Sequence, residues 1–433
     1  MGLAQIGARM PAMVTYHIFI SMQSRSTTLM YTRDACQDEF GMLAAFTSHH
    51  RLLLGVKNGK SLTPRDEDNV LTAFEDPERV RCLGISVTNS LLENLAVAMR
   101  KPFPELTHLC LSSQSEYQIM LPLPDEFLAG SAPELWVMEL QGIPFPGLPQ
   151  LLLSTRHLVD LRLLDISNYD HFSPRMMFTT LAALTEFRTL FIKFLMVLPS
   201  RFHYFTPPAQ VVLPSLTTFN FSGSADQLED LLSQFDAPRF DNFKMSYLYP
   251  LPFHFQVPQL FKFIGRTQNH DLVHLKRAQV PFGFAFGIHV DLYFERVEQF
   301  GSHDFFLELT CLGFSSEIPQ EAAQIFRQFS AMLSNVDHLS INAYGSPFDE
   351  EENHMNTALC LELLRPFAAA VTLEVSESLA MQVARRLEGA TEEVVAELMP
   401  SLRSLCLKGM PVPSVARFVG LRQFSGRPVT MSN

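Results

Sequence analysis

A short hydrophobic pattern returns along the chain: an apolar residue, two residues of any kind, a second apolar residue, one intervening residue and a third apolar residue. Eleven copies, spaced as a repeat, are assigned in the 433-residue chain. The first seven copies begin 23 to 29 residues apart and the last four begin 27 to 34 residues apart. Between these groups lies an interval of 69 residues, where Leu272-x-x-Leu275 is a candidate for a degenerate copy. The copies begin at Val80, Leu106, Leu135, Leu158, Phe187, Leu216, Phe240, Leu309, Val336, Ala370 and Leu402.

The repeat predicts stacked units, each with one strand and one helix-like segment. LxxLxL motifs with a period of about 20 to 29 residues are the signature of leucine-rich repeats. The second and third apolar positions fit a short strand with one buried face, because side chains two residues apart share a face. We therefore expect an irregular α/β leucine-rich-repeat solenoid over residues 61–433, a horseshoe-like arc with parallel strands on its concave face and helices on its convex face. Residues 1–60 are expected to form an N-terminal extension or a degenerate first turn.

One aromatic stretch, residues 280–294, departs from the repeat. Phe282, Phe284 and Phe286 alternate with other residues, which predicts a strand with one packed face. The glycines between them predict close approach of another backbone or local bending. An aromatic cofactor-binding cluster is the less favoured interpretation.

Composition and charge narrow the classes of function. Hydrophobic residues make up 47% of the chain and charged residues 18%, which is enough apolar material for a large core. The formal net charge of −12 argues against broad binding to nucleic acid, which needs clustered Lys and Arg. No run of about 18 apolar residues is present, so no membrane span is expected. The six cysteines are far apart, which predicts free thiols and a cytoplasmic or nuclear protein.

Searches for catalytic and metal-binding motifs predict no enzyme and no cofactor. The chain has no GxSxG, HExxH, P-loop or GxGxxG helix start. His270 and His274 could share a helical face as metal ligands, but no third ligand is in register, so solvent-facing or capping roles are favoured. Residues 349–353 begin like a calcium loop, yet His354 and Cys360 stand where glycine and glutamate are needed. An acidic insertion is favoured there, with a docking loop for a basic partner as the alternative.

The strand register also predicts a binding surface. Residues between the two inward positions point outward, where they carry both charges and one aromatic ring, a composition that suits a protein interface. Each could instead be a solvated strand residue. If Arg162 faces solvent, Arg162→Asp is expected to leave the thermal melt nearly unchanged. The candidate protein-binding residues are Glu139, Arg162, Phe191, Lys193, Asn220, Lys244 and His338.

Several longer segments resemble one family. They include SLTPRDEDNVLTAFEDPERVRCLGI at residues 61–85, VPQLFKFIGRT at residues 257–267, LELLRPF at residues 361–367 and RQFSGRPV at residues 422–429. Together they resemble the F-box/leucine-rich-repeat-like proteins of mushroom-forming fungi, over roughly residues 40 to 433. The resemblance implies that an F-box docks on the Skp-type adaptor of a cullin-RING ubiquitin ligase, while the repeats hold the substrate.

The sequence departs from that family at its most informative point. Residues 1–60 contain no LPxE/D-type opening and no Cys-x-x-Trp-type segment, and the single tryptophan is Trp136. Adaptor binding is therefore expected only if an F-box lies upstream or is cryptic. The preferred hypothesis is a non-catalytic protein-binding scaffold related to substrate recognition by an SCF-type ubiquitin ligase. The alternative is an orphan structural or regulatory solenoid, and an enzyme would need a convergent polar cluster.

Overall fold

The computed structural model describes the greater part of the chain from residue 52 onward. His270, His274, residues 349–353 and most of residues 1–60 lie outside the described residues, and the predictions on them stay predictions. The described ranges are 52–55, 64–113, 121–166, 174–195, 210–240, 242–247, 257–266, 275–283, 287–294, 305–311, 318–344, 357–376, 398–408, 413–424 and 426–432.

The chain divides into two compact units, unit 1 (Met1–Val197) and unit 2 (Leu198–Asn433). Each is built from strands and helices and each contains parallel strand pairs, which confirms the predicted α/β class. The predicted boundary between residues 60 and 61 stays a prediction.

The described residues of unit 1 contain six parallel strands in chain order. Its helices alternate with the strands. The strands are β1 (Leu52–Gly55), β2 (Val80–Val87), β3 (His108–Ser113), β4 (Val137–Gln141), β5 (Asp160–Ile166) and β6 (Thr189–Phe194). The helices are α1 (Pro64–Ala73), α2 (Asn89–Ala98), α3 (Leu148–Leu152) and α4 (Pro174–Leu181), with short 3₁₀ turns at Pro77–Arg79 and Phe127–Gly130.

The repeated motif sets the register of these strands. Equivalent second positions pair directly, in the order Leu83, Leu109, Met138, Leu161 and Leu190. All five side chains are buried, as are the third positions two residues later. Residues between them are partly exposed on the opposite side of each strand. The prediction that the motif forms strands with one buried face is confirmed.

The helices of unit 1 bury one apolar side against these strands. In α2, Leu91, Leu92 and Leu95 are buried, and Thr88 caps the helix because its Oγ1 accepts a hydrogen bond from the Leu91 amide at 3.3 Å. The short turn at Phe127–Gly130 holds Leu128 with a positive φ of 57°.

Unit 2 repeats the motif with an interruption. Its main strands follow the order β8, β10, β13, β12, β11, β14, β15, β16, β17, beside a two-residue pair of β7 and β9. The strands are β7 (Val211–Val212), β8 (Thr218–Ser222), β9 (Phe235–Asp236), β10 (Asn242–Tyr247), β11 (Leu275–Gly283), β12 (Gly287–Phe294), β13 (Phe305–Cys311), β14 (His338–Tyr344), β15 (Thr372–Ser376), β16 (Ser404–Lys408) and β17 (Thr430–Ser432). The helices are α5 (Ala225–Gln234), α6 (Pro258–Arg266), α7 (Ile318–Gln328), α8 (Ser330–Leu333), α9 (Thr357–Leu364) and α10 (Pro413–Phe424).

The interruption corrects two sequence predictions. β11 and β12 pair antiparallel, with Gly283 opposite Gly287, so the stretch is not a single strand, and Phe284 and Phe286 lie outside the described residues. β12 is also antiparallel to β13, so the expected uniformly parallel arrangement is wrong here. The hairpin stands between β13 and β14. Separately, Leu307 and Leu309 of β13 pair with Phe243 and Met245, so the copy of the motif predicted to begin at Leu309 is misplaced along the chain. A period-two pattern fits one long strand or two short ones, and only the turn distinguishes them.

Phenylalanine fills much of the core of unit 2. Phe219 stacks on Phe243 with ring centroids 5.5 Å apart, and meets Phe235 edge-on at 5.5 Å. Phe263 of α6 contacts Phe235 and Phe240 edge-on at 5.4 and 5.1 Å. These offset and edge-on geometries add to the stabilisation from buried apolar area. Through Phe263, the helix α6 packs against the strand region of unit 2.

Candidate functional site

Three strands of unit 1 bring charged side chains together on their outward face. Glu139 of β4 pairs in register with Arg162 of β5, and Arg162 pairs with Phe191 of β6. Lys193 lies two residues beyond Phe191, on the same side of β6. Four of the predicted binding residues therefore occupy one patch. Together with Asp160, Asp165 and Gln141, which contact them or each other on the same strands, we call this patch the charged face.

At its centre, Arg162 makes a forked ion pair with Asp160 on its own strand. Arg162 Nη2 lies 2.7 Å from Asp160 Oδ2, and Arg162 Nε donates to both carboxylate oxygens at 3.1 and 3.2 Å. The two residues meet because they are two positions apart on a strand. Only 15% of the Arg162 side chain and 10% of the Asp160 side chain are exposed. The pair is held in a fixed geometry.

Glu139 is the second carboxylate beside Arg162. Its Oε2 lies 3.6 Å from Arg162 Nη1, and 22% of its side chain is exposed. Burial raises the pKa of Glu139, the charge of Arg162 opposes that rise, and the charge of Asp160 adds to it. Burial alone would lower the pKa of Arg162, but the hydrogen bonds and charge of Asp160 and the charge of Glu139 raise it. Arg162 thus remains a cation shared by two carboxylates.

A second group at the end of the same strands centres on Asp165. Its carboxylate lies 2.8 Å from Lys193 Nζ and accepts a hydrogen bond from Gln141 Nε2 at 2.7 Å. Asp165 has a φ of 56°, in the left-handed region that non-glycine residues rarely adopt, at an irregularity of β5 between Leu163 and Ile166. The bulge turns Asp165 toward the neighbouring strands, and its two polar partners help to hold that conformation.

Cysteine and histidine side chains lie on the outward positions of the adjacent strands. Cys82 Sγ lies 3.7 Å from His108 Nδ1, and Thr107 Oγ1 lies 2.9 Å from the same nitrogen. Burial raises the pKa of Cys110 to about 12, with the charge of Glu139 contributing, and burial also raises the pKa of Cys82. Both groups are thiols near neutral pH, so neither is an activated nucleophile.

The described side chains of these strands can bind polar groups of a partner but do not form a metal-binding site. Within the described part of the chain, no group of three or more His, Cys, Asp or Glu side chains is placed to hold a metal. The carboxylates of the charged face are already engaged by Arg162, Lys193 and Gln141.

The remaining candidates lie in unit 2 and do not form one patch. Asn220 and Lys244 are neighbours, paired in register on β8 and β10. His338 lies on β14, where its Nε2 is 3.6 Å from Glu374 Oε2. Within unit 2, β13, β12 and β11 separate β10 from β14, so His338 is four strands away from Lys244.

The structure changes the expectation for one residue and adds two others. Arg162 points outward as predicted, but it is largely buried between carboxylates, so the expectation that Arg162→Asp leaves stability unchanged has to be revised. Gln141 was missed although it is the next outward position after Glu139 on the same strand, a signal that period two provides. Asp165 was missed because its orientation depends on a bulge that no spacing rule indicates.

Comparison with models of known protein families found no match, and comparison with curated proteins found none either. Among the described residues, no helix is both long enough and apolar enough to cross a membrane.

Proposed function

We propose that the chain is an irregular leucine-rich-repeat solenoid and a non-catalytic scaffold that binds a protein partner. The solenoid reading is supported by the motif, because equivalent residues of consecutive copies pair directly from Leu83 to Leu190. The same holds in unit 2 from Leu339 through Leu373 to Leu405. In such a solenoid the outward strand positions line the concave side, which is the usual binding surface.

The charged face is the observation that carries the binding proposal. It presents fixed charges of both signs beside the half-buried ring of Phe191. Trp136, which is 43% exposed, comes just before the outward residue Val137 of β4. Protein interfaces favour aromatic residues and arginine held in defined positions, and ordered charge pairs give specificity. The thiols of Cys82 and Cys110, on the adjacent strands β2 and β3, are not activated, which makes covalent catalysis by them unfavourable.

The link to ubiquitin transfer rests on the sequence resemblance alone. In that proposal the scaffold recognises substrates for an SCF-type ligase in the cytoplasm or nucleus, and the Skp-type adaptor binds an F-box upstream or within residues 1–60. The alternative is an orphan structural or regulatory solenoid that binds its partner without any ligase.

Affinity purification of the tagged full chain from cells of a mushroom-forming fungus, followed by mass spectrometry, tests this proposal. The double variant Phe191→Ser/Lys193→Glu alters the charged face, and Leu153→Ser, at a position 64% exposed after α3, is the control. We expect a set of proteins that co-purifies with the wild-type chain to be lost with the double variant and retained with the control. Adaptor and cullin in the same purification support the ligase role. Partners without them favour the orphan solenoid, and a protein set that is unchanged in the double variant contradicts the proposal.

A further inference from the structure

We propose that the segment bound at the charged face carries a basic side chain, lysine or arginine, that pairs with Glu139. The inference depends on the proposed protein-binding function and specifies the chemistry of the partner. It follows from how the charges of the face are shared.

Among the ion-paired side chains of the charged face, carboxylates outnumber cations by one. Asp160, Asp165 and Glu139 supply three carboxylates, and Arg162 and Lys193 supply two cations. Arg162 is 2.7 Å from Asp160, and Lys193 is 2.8 Å from Asp165. Glu139 is 3.6 Å from an arginine that Asp160 already engages. Glu139 is therefore the carboxylate whose charge is least compensated.

The surroundings of Glu139 make that remaining charge costly. Most of its side chain is withdrawn from water, so solvent screens its charge weakly. The raised pKa of Glu139 has the same origin. A cation brought by a partner would offset this cost, and closing the interface would strengthen the ion pair by excluding water.

Phe191 gives the basic residue or its neighbour an apolar contact. Glu139 and Phe191 lie in register two strands apart, a separation of about 10 Å between their backbones. Lysine and arginine can pack their aliphatic stems on apolar surface while the charged end reaches a carboxylate, and both attract aromatic faces. An extended basic segment can therefore contact both residues.

The opposite charge on the partner is disfavoured. An acidic or phosphorylated segment would need Arg162 and Lys193, and both are already held by aspartates at less than 3 Å. It would also approach three carboxylates, which repel it. The chain as a whole carries a net charge of −12, which likewise attracts basic partners from a distance.

Selection from a phage library of random 12-residue peptides on the immobilised full chain tests the inference. Selected peptides would be resynthesised and titrated against wild type, Glu139→Gln, Phe191→Ser and the matched control Glu134→Gln. Glu134 is exposed in the turn before β4, so its substitution removes the same charge outside the face. Circular dichroism melts verify that each variant is folded.

We expect the selected peptides to share a lysine or arginine, and Glu139→Gln to weaken binding about tenfold, or 1.4 kcal/mol. Glu134→Gln should leave the Kd within twofold. Peptides that need Phe191 but lack a basic residue, or bind Glu139→Gln as well as wild type, overturn this inference and leave the protein-binding function standing. If no peptide is enriched, or if all bind the Phe191→Ser and Glu139→Gln variants unchanged, both proposals fail.

Discussion

Units 1 and 2 use the same inward motif but differ in what their outward positions do. In unit 1, the strands β1 to β6 follow chain order, and the outward residues of β4, β5 and β6 form one connected charged face. In unit 2, a hairpin separates β13 from β14, and the candidate residues fall into two separate places. The inward motif fixes packing and register in both. Whether outward residues form a site depends on which strands become neighbours.

The largest expected loss of stability comes from placing a charge on the buried side of the strands of unit 1. Leu109 is fully buried, so Leu109→Asp places a charge where it has no partner and should cost more than about 4 kcal/mol of unfolding free energy. Ser112→Asp, at an outward position of the same strand, is the control and should cost far less. Urea unfolding followed by circular dichroism measures both. Equal losses would mean that the two faces of β3 are wrongly assigned.

The next largest effect concerns the charged face itself. Arg162→Asp would place a third carboxylate beside Asp160 and Glu139, and we expect a loss of about 2 to 3 kcal/mol. Arg156→Asp, the same substitution at an exposed position of unit 1, should change stability by no more than about 0.5 kcal/mol. Urea unfolding of the two variants compares them directly. Similar values would show that the ion pairs of the face contribute nothing.

These two predictions show how far sequence reasoning reaches. The buried positions, such as Leu109 and Phe219, followed from the period-two alternation within each motif copy, since burial depends mainly on local pattern. The hairpin did not follow, because the alternation around Phe282 is the same for one strand or two. The ion pairs around Arg162 could not be predicted from the sequence either. Glu139 and Arg162 were predicted one by one, but their contact with each other and with Asp160 depends on strand pairing and rotamers.

A smaller effect should appear as a pH dependence that belongs to unit 1. Because the folded state raises the pKa of Glu139, protonation of this group favours folding. The stability that protonated Glu139 contributes is fully present below the pKa of the unfolded state, about 4.3. This stability is lost as the pH rises through the higher pKa of Glu139 in the folded state. Glu139→Gln should therefore be more stable than wild type at pH 7 and should lose this advantage near pH 4. Thermal melts from pH 4 to 7, with Glu134→Gln as control, test the sign.

The smallest effects should be alike in the two units, because helix caps act locally. The Leu91 amide donates to Thr88 Oγ1 in unit 1, and the Gln227 amide donates to Ser224 Oγ in unit 2, both at 3.3 Å. Thr88→Ala and Ser224→Ala should each cost about 1 kcal/mol. Thr72→Ala, at an exposed position within α1, should cost nothing. A much larger loss for one cap would mean that the units differ in their helices as well as in strand order.

The central claim is that the charged face of unit 1 binds a protein. Site-specific photo-crosslinking tests it most directly, with benzoylphenylalanine placed at position 191 or, as control, at position 153 of the full chain. After irradiation in cell extract, we expect a discrete protein adduct from position 191 that is absent from position 153 and is reduced by Glu139→Gln. No adduct from position 191, or the same adducts from both positions, would contradict the claim.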